Sequence, residues 1–142
     1  MNREIKFRGI PLRDADDIYE IADYDGTFVY GYYVKNGDGA LIVGDQTEEL
    51  DDVGLSRWFE DVVPETVGQY TGLKDANGKE IYEGDLLKFK ILFSDDNYEV
   101  GQVAWSNQDA GFILECFNLW KFASRAEIVG NIHENTEFLE EK

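Results

Sequence analysis

Residues that bend a backbone recur along this chain at short intervals, with β-branched and aromatic runs between them. No other feature constrains the fold as strongly. TFVYGYYVK (27–35) is β-prone and meets Asn36-Gly37-Asp38-Gly39, residues that tolerate positive φ and suit a tight hairpin. ALIVG (40–44) is the returning strand. REIKFRG (3–9) alternates: Ile5 and Phe7 face one way, Glu4, Lys6 and Arg8 the other, as in a half-buried strand. A loop over 10–17 and IYEIADYDG follow, with a turn at Tyr24-Asp25-Gly26. Leu55, Trp58 and Phe59 stand at helical spacing and predict one helical turn; Pro64 stops it or pushes Val63 toward an extended shape.

The second half continues the rhythm. A strand or bridge is expected over 67–73, and KDANGKE (74–80) holds the hairpin dipeptide Asn77-Gly78. LLKFKILF (86–93) reads as a strand, SDDN (94–97) as a turn, and YEVGQVAWS (98–106) as the return, with a kink at Gly101. NQDAG turns again, GFILECF (111–117) is a strand, and AEIVGNI (126–132) closes the set. NTEFLEEK (135–142) fits a last helical turn capped by Asn135 or Thr136. Evenly spaced short strands predict a mainly β fold with room for short helices: a small barrel or sandwich, with an SH3-like barrel in the C-terminal half. We expect a single domain over 1–142, with lobes 1–63 and 64–142 that stand apart or share one core.

Composition narrows the functions. Nine Phe, eight Tyr and three Trp make the chain aromatic-rich, which suits pleated, half-buried surfaces. Thirteen basic against thirty acidic residues give a net charge of −17. Such a surface repels phosphates and anionic lipid, so direct nucleic-acid binding and membrane association are not expected, apart from a local basic patch at Arg3, Lys6 and Arg8. Basic partners are favoured, including basic grooves that hold DNA. The bland alternative is that the charge only keeps the protein in solution. Cys116 is the one cysteine, which excludes an internal disulfide and a cysteine zinc cluster. Its apolar neighbours predict a buried, inert thiol, in keeping with a reduced cytoplasmic location. MNREIKFRGI lacks the apolar stretch of a signal peptide, and no run approaches a membrane span.

Several blocks together resemble the YopX family of bacteriophage and prophage proteins: REIKFRG, FVYGYYV, PETVGQYTGLKDANGKEIYEGDLLKF and EIVGNIHENTEFL. They stand in the family's order from end to end, and the third is long and specific. The sequence departs from the usual pattern at 11–25 and at the acidic loop 45–52. The resemblance implies a mostly β fold and a phage or prophage origin, hence the cytoplasm of a bacterial host. It carries no established biochemical activity, and so no catalytic, cofactor-binding or metal-ligating residues.

Candidate chemistry is sparse. Gly68, Gly72, Gly78 and Gly84 match neither a Walker loop nor a dinucleotide fingerprint and read as turn residues. Asp75 to Glu80 resembles half of a calcium loop, but its glycine comes fourth and position twelve is Leu86, not a glutamate. Acidic groups stand at Asp14-Asp16-Asp17, Glu48-Glu49-Asp51-Asp52 and Asp95-Asp96, in polar stretches that suit solvated acids. Glu83 and Asp85 flank Gly84 and form the one acidic pair inside the specific block; a metal-dependent hydrolase would use them, whereas a turn role has Asp85 accept backbone N–H groups. His133 has no nucleophile-elbow motif to serve and reads as a surface or loop histidine. Trp105, Phe112, Trp120 and Phe122 are either a base-stacking platform or packing residues, and the missing basic groove favours packing. The expectation is therefore a non-enzymatic phage accessory protein that binds a host or phage protein, without cofactor. The alternatives are an acidic DNA mimic that inhibits a host nucleic-acid enzyme, and the metal-dependent hydrolase. Exposed sheet edges leave a homo-oligomer open.

Overall fold

The computed structural model describes residues 4–18, 22–44, 58–91 and 97–135. The fold is mostly β, as expected: two antiparallel sheets, one a curled half-barrel, with no helix of seven residues among those described. The chain divides into two compact units, Met1–Gln69 and Tyr70–Lys142.

The first unit holds β1 (Phe7–Gly9), β2 (Val29–Asn36), β3 (Gly39–Val43) and β4 (Phe59–Val62) in the spatial order β4-β3-β2-β1. Gly68 and Gln69, which begin β5 (Gly68–Lys74), pair with β1 on its other side. The β2–β3 hairpin closes where the sequence places it. Asn36 pairs with Gly39, and Gly37 occupies the first turn position at φ 62°, a conformation glycine adopts without steric cost. One face of the strands supplies the core, with Val29, Ala40, Ile42, Trp58 and Val62 buried and Phe7, Tyr24 and Val67 packed against them. A connection runs along the outer edge of β4. Pro11 bridges Val62, the Leu12 N–H donates to the Asp61 carbonyl (2.9 Å), and the Val63 N–H donates to the Ile10 carbonyl (2.8 Å).

The helical turn expected at Trp58 and Phe59 does not form there; Phe59 opens β4, and Leu55 lies outside the described residues. Burial alternates with period two through Trp58, Glu60 and Val62. A charged residue at an inward position hid the alternation. Glu60 is only 2% exposed, because the Arg13 guanidinium meets its carboxylate with two N–H groups, Nε to Oε1 at 3.0 Å and Nη2 to Oε2. Val63 is extended and Pro64 starts a single 3-10 turn, so proline acts there as expected.

In the second unit the rest of β5 pairs with β6 (Glu80–Tyr82). The strands β7 (Asp85–Phe89), β8 (Glu99–Ser106), β9 (Gly111–Leu114), β10 (Phe117–Asn118) and β11 (Glu127–Asn131) form a sheet in the order β10-β9-β8-β7-β11. Ile81, Leu87, Phe89, Val103, Leu114, Leu119, Phe122 and Ala126 make its core. Phe89 meets Phe122 edge to face at 5.4 Å, a favoured geometry for aromatic pairs.

Two local expectations change here. GFILECF is not one strand: it breaks after Leu114, turns through Glu115 and Cys116, and resumes at Phe117. No glycine marks the turn. Glu115 takes φ 58° itself, and its Oε2 accepts the Gln102 N–H at 2.9 Å. Gly101 does not kink β8, which stays in register with β7 through Leu87. The glycine is needed for space: a Cβ there would stand 2.6 Å from Glu115 Cγ and 3.1 Å from both Leu114 Cδ1 and Phe89 Cε1.

Candidate functional site

The Glu83–Asp85 pair sits in the turn between β6 and β7. Asp85 is buried and its Oδ2 accepts the Tyr82 N–H at 2.8 Å, the role expected of a turn aspartate. Gly84 donates to the Val103 carbonyl (2.9 Å) and accepts from the Ile132 N–H (2.8 Å), so the turn is tied to β8 and to the residue after β11. That tie brings the half-buried His133 imidazole beside Gly84; a Cβ on the glycine would lie 3.5 Å from Nε2. His133 lies within a tight turn in which Asn131 Oδ1 accepts the His133 and Glu134 N–H groups.

The half-calcium loop is organised by its first residue. Asp75 is 5% exposed. Its Oδ1 accepts the Asn77 and Lys79 N–H groups at 2.8 and 2.9 Å, and its Oδ2 accepts the Ile128 N–H of β11 at 3.0 Å. The carboxylate is thus turned onto backbone amides. Among the described residues, no three His, Cys, Asp or Glu side chains converge to hold a metal ion. Of the acidic clusters, Asp14, Asp16 and Asp17 are exposed, while 48–52 and 95–96 fall outside the described residues, as does the last helical turn from Thr136 onward.

Cys116 is exposed at the β9–β10 turn, which overturns the buried thiol. Its apolar neighbours Leu114 and Leu119 are buried, but the reversal of the chain carries the cysteine outward. The four aromatics of the supposed platform are not equivalent. Phe122 belongs to the core. Trp105 and Phe112 are a directly opposed cross-strand pair, edge to face at 5.2 Å, and the Trp105 indole N–H donates to Asn107 Oδ1. Trp120 is exposed on a 3-10 turn.

The surface that sequence reasoning did not single out lies in the first unit. In an antiparallel ladder, directly opposed residues point to the same face. Tyr32 opposes Val43, and Val43 opposes Phe59; Val34 opposes Leu41, and Leu41 opposes Asp61. Two rows therefore cross β2, β3 and β4 on the face away from the core. Tyr32 is 51% exposed, Val34 45% and Phe59 58%, with Leu41 and Val43 half-buried between them. Only Asp61 breaks the apolar run. Toward β1 the same face is closed. Arg8 opposes Tyr30 and is buried, its guanidinium carbon 4.0 Å from the Phe28 ring centre. Asp25 ties this end together, accepting the Thr27 and Phe28 N–H groups (2.9 and 2.7 Å) and the Tyr30 hydroxyl. Burial alone would raise the Asp25 carboxyl. The hydrogen bonds from Tyr30, Phe28 and Thr27 and the Arg8 charge outweigh it and hold the group below 3.8. Burial and the Asp25 carboxylate push the Tyr30 phenol upward. Beside β4, a cavity of about 200 Å³ is lined by Arg13, Phe59, Glu60 and Asp61, its one buried carboxylate already paired with Arg13.

Fold and surface together define a mostly β protein whose distinctive exposed feature, among the described residues, is an apolar sheet face. The chain belongs to the YopX protein family, whose model matches residues 16–140. It is also similar to the crystal structure of protein EF1440 from Enterococcus faecalis, at a TM-score of 0.53 and 21% identity over 96% of this chain and 99% of that one; the likeness is one of fold. No curated protein matches the chain. Among the described residues, no helix is long and apolar enough to cross a membrane.

Proposed function

We propose that this protein is a non-enzymatic accessory module of phage or prophage origin that works by binding another protein in the bacterial host cytoplasm. The carrying observation is the outer face of β2, β3 and β4, where Tyr32, Val34 and Phe59 stand exposed in two ordered rows. Apolar side chains scattered singly on a surface need no explanation, but contiguous ones mark contact sites. Tyrosine and phenylalanine are among the residues enriched where proteins meet. The most embedded carboxylates, Asp75, Asp85 and Glu60, are occupied by backbone amides or by Arg13, which leaves them poorly placed for acid–base work.

The test is affinity capture from host extract with the wild-type chain and with a Tyr32→Ser/Phe59→Ser double variant. Both positions are exposed, so the variant keeps its core. A protein retained by the wild type and lost from the variant supports the reading. Recovery that is identical for both, or nothing above background for either, refutes it.

A further inference from the structure

We infer that the outer face of β2, β3 and β4 takes a basic protein partner, one that presents apolar side chains flanked by Lys and Arg where it meets the β4 end. The inference rests on the interaction reading above and adds the chemistry of the partner.

Three observations carry it. The first is the apolar strip itself, which only a surface with apolar side chains of its own can cover without stranding polar groups. The second is charge. The strip ends on β4 at the exposed Asp61, and the neighbouring connection continues from Leu12, itself exposed, into Asp14, Asp16 and Asp17. The molecule carries −17 overall, so a second copy would bring a further −17 against the first. Acidic residues at the β4 end of an apolar strip attract a cationic partner and repel an anionic one, whereas at the β1 end Lys6 lies over the Tyr30 ring. The third is the sheet edge. Ile10 and Leu12 already hydrogen-bond along the outer side of β4, so a partner meets the face rather than extending the sheet by a strand.

The test uses three labelled synthetic peptides of equal length, followed by fluorescence anisotropy. One is an amphipathic Leu/Lys helix, the second its Leu/Glu counterpart, the third a Lys/Ser peptide of the same charge without apolar residues. Measurements at about 0.1 M and about 1 M salt span screening lengths of ~10 and ~3 Å. The Leu/Lys peptide is expected to bind best and to weaken in high salt. Tyr32→Ser/Phe59→Ser should reduce its affinity by roughly tenfold or more, the loss typical of removing central aromatic anchors. Asp61→Lys, which leaves the apolar rows intact, should also weaken it and improve the Leu/Glu peptide. Four results overturn the inference: no binding of the Leu/Lys peptide, equal binding of the Lys/Ser peptide, indifference to the double variant, or a wild-type dimer in sedimentation that the double variant abolishes. Face-dependent capture of an acidic host protein would leave the interaction reading standing while removing the basic partner.

Discussion

Replacing Asp75 with alanine should cost far more than its place in a loop suggests. The side chain is almost fully buried and accepts three backbone N–H groups, two within its own turn and one from β11, which is 53 residues away in sequence. The Asn77 and Lys79 amides lie in an exposed segment and can turn to water, so each loses only the net value of a hydrogen bond, about 0.5–1 kcal/mol. The Ile128 amide is half-buried, and leaving it without an acceptor costs about 1–3 kcal/mol. The sum is about 3 kcal/mol, a substantial part of the stability of a small protein. With a urea slope of about 2 kcal/mol/M, the unfolding midpoint should fall by roughly 1.5 M with the slope unchanged. Asp75→Asn should lie between, because one oxygen can still serve the turn while its amide faces the Ile128 N–H. Asn77→Ala, at the residue the hairpin dipeptide advertises, should cost under about 1 kcal/mol. Urea unfolding followed by circular dichroism decides the matter. If Asn77→Ala proves as damaging as Asp75→Ala, the loop is held by its turn geometry and not by the aspartate.

Three further outcomes follow from the same geometry. Gly101→Ala should destabilise by about 2 kcal/mol, a ~6 °C fall in Tm, because its Cβ would crowd Glu115, Leu114 and Phe89; an unchanged melting curve would contradict that reading. Glu115→Gly should be more stable than Glu115→Ala by about 1 kcal/mol, since both lose the Gln102 hydrogen bond but glycine alone removes the left-handed strain, and paired denaturation curves compare them directly. The Asp25 carboxyl is held below its ordinary value in the folded protein, so its stabilising contribution is complete above the unfolded carboxylate range and drains away as pH falls through the folded value. Asp25→Asn should therefore be less stable than wild type near neutral pH and converge with it in acid, as denaturation at pH ~7 and pH ~3 would show; a constant gap would speak against the linkage.

The sequence was most informative where structure is local. The Asn36–Gly39 hairpin was readable because two neighbouring residues supply both the positive φ and the reversal. The turn after β5 was placed correctly, but its organising residue was not, because one of the three N–H groups Asp75 accepts comes from the distant Ile128. Phe59 was misread for the same kind of reason: the inward position of Glu60 makes sense only once Arg13, 47 residues earlier, is seen to pair with it. The Glu115–Cys116 turn gave no signal, since neither residue is a usual turn former and their reversal is secured from β8. The apolar face was legible only as a β-prone run. Which of its side chains look outward is a matter of register across three strands, and register is set by pairings between distant segments.

The chain's sole thiol stands in solvent at the tip where β9 reverses into β10, in the second unit, whereas the apolar rows belong to the first. A maleimide dye or spin label can therefore be attached at one defined point without mutagenesis and with Tyr32 and Phe59 left chemically unchanged. Attached there, such a reporter would allow the unmodified sequence itself to serve as bait and as ruler when a binding companion is sought.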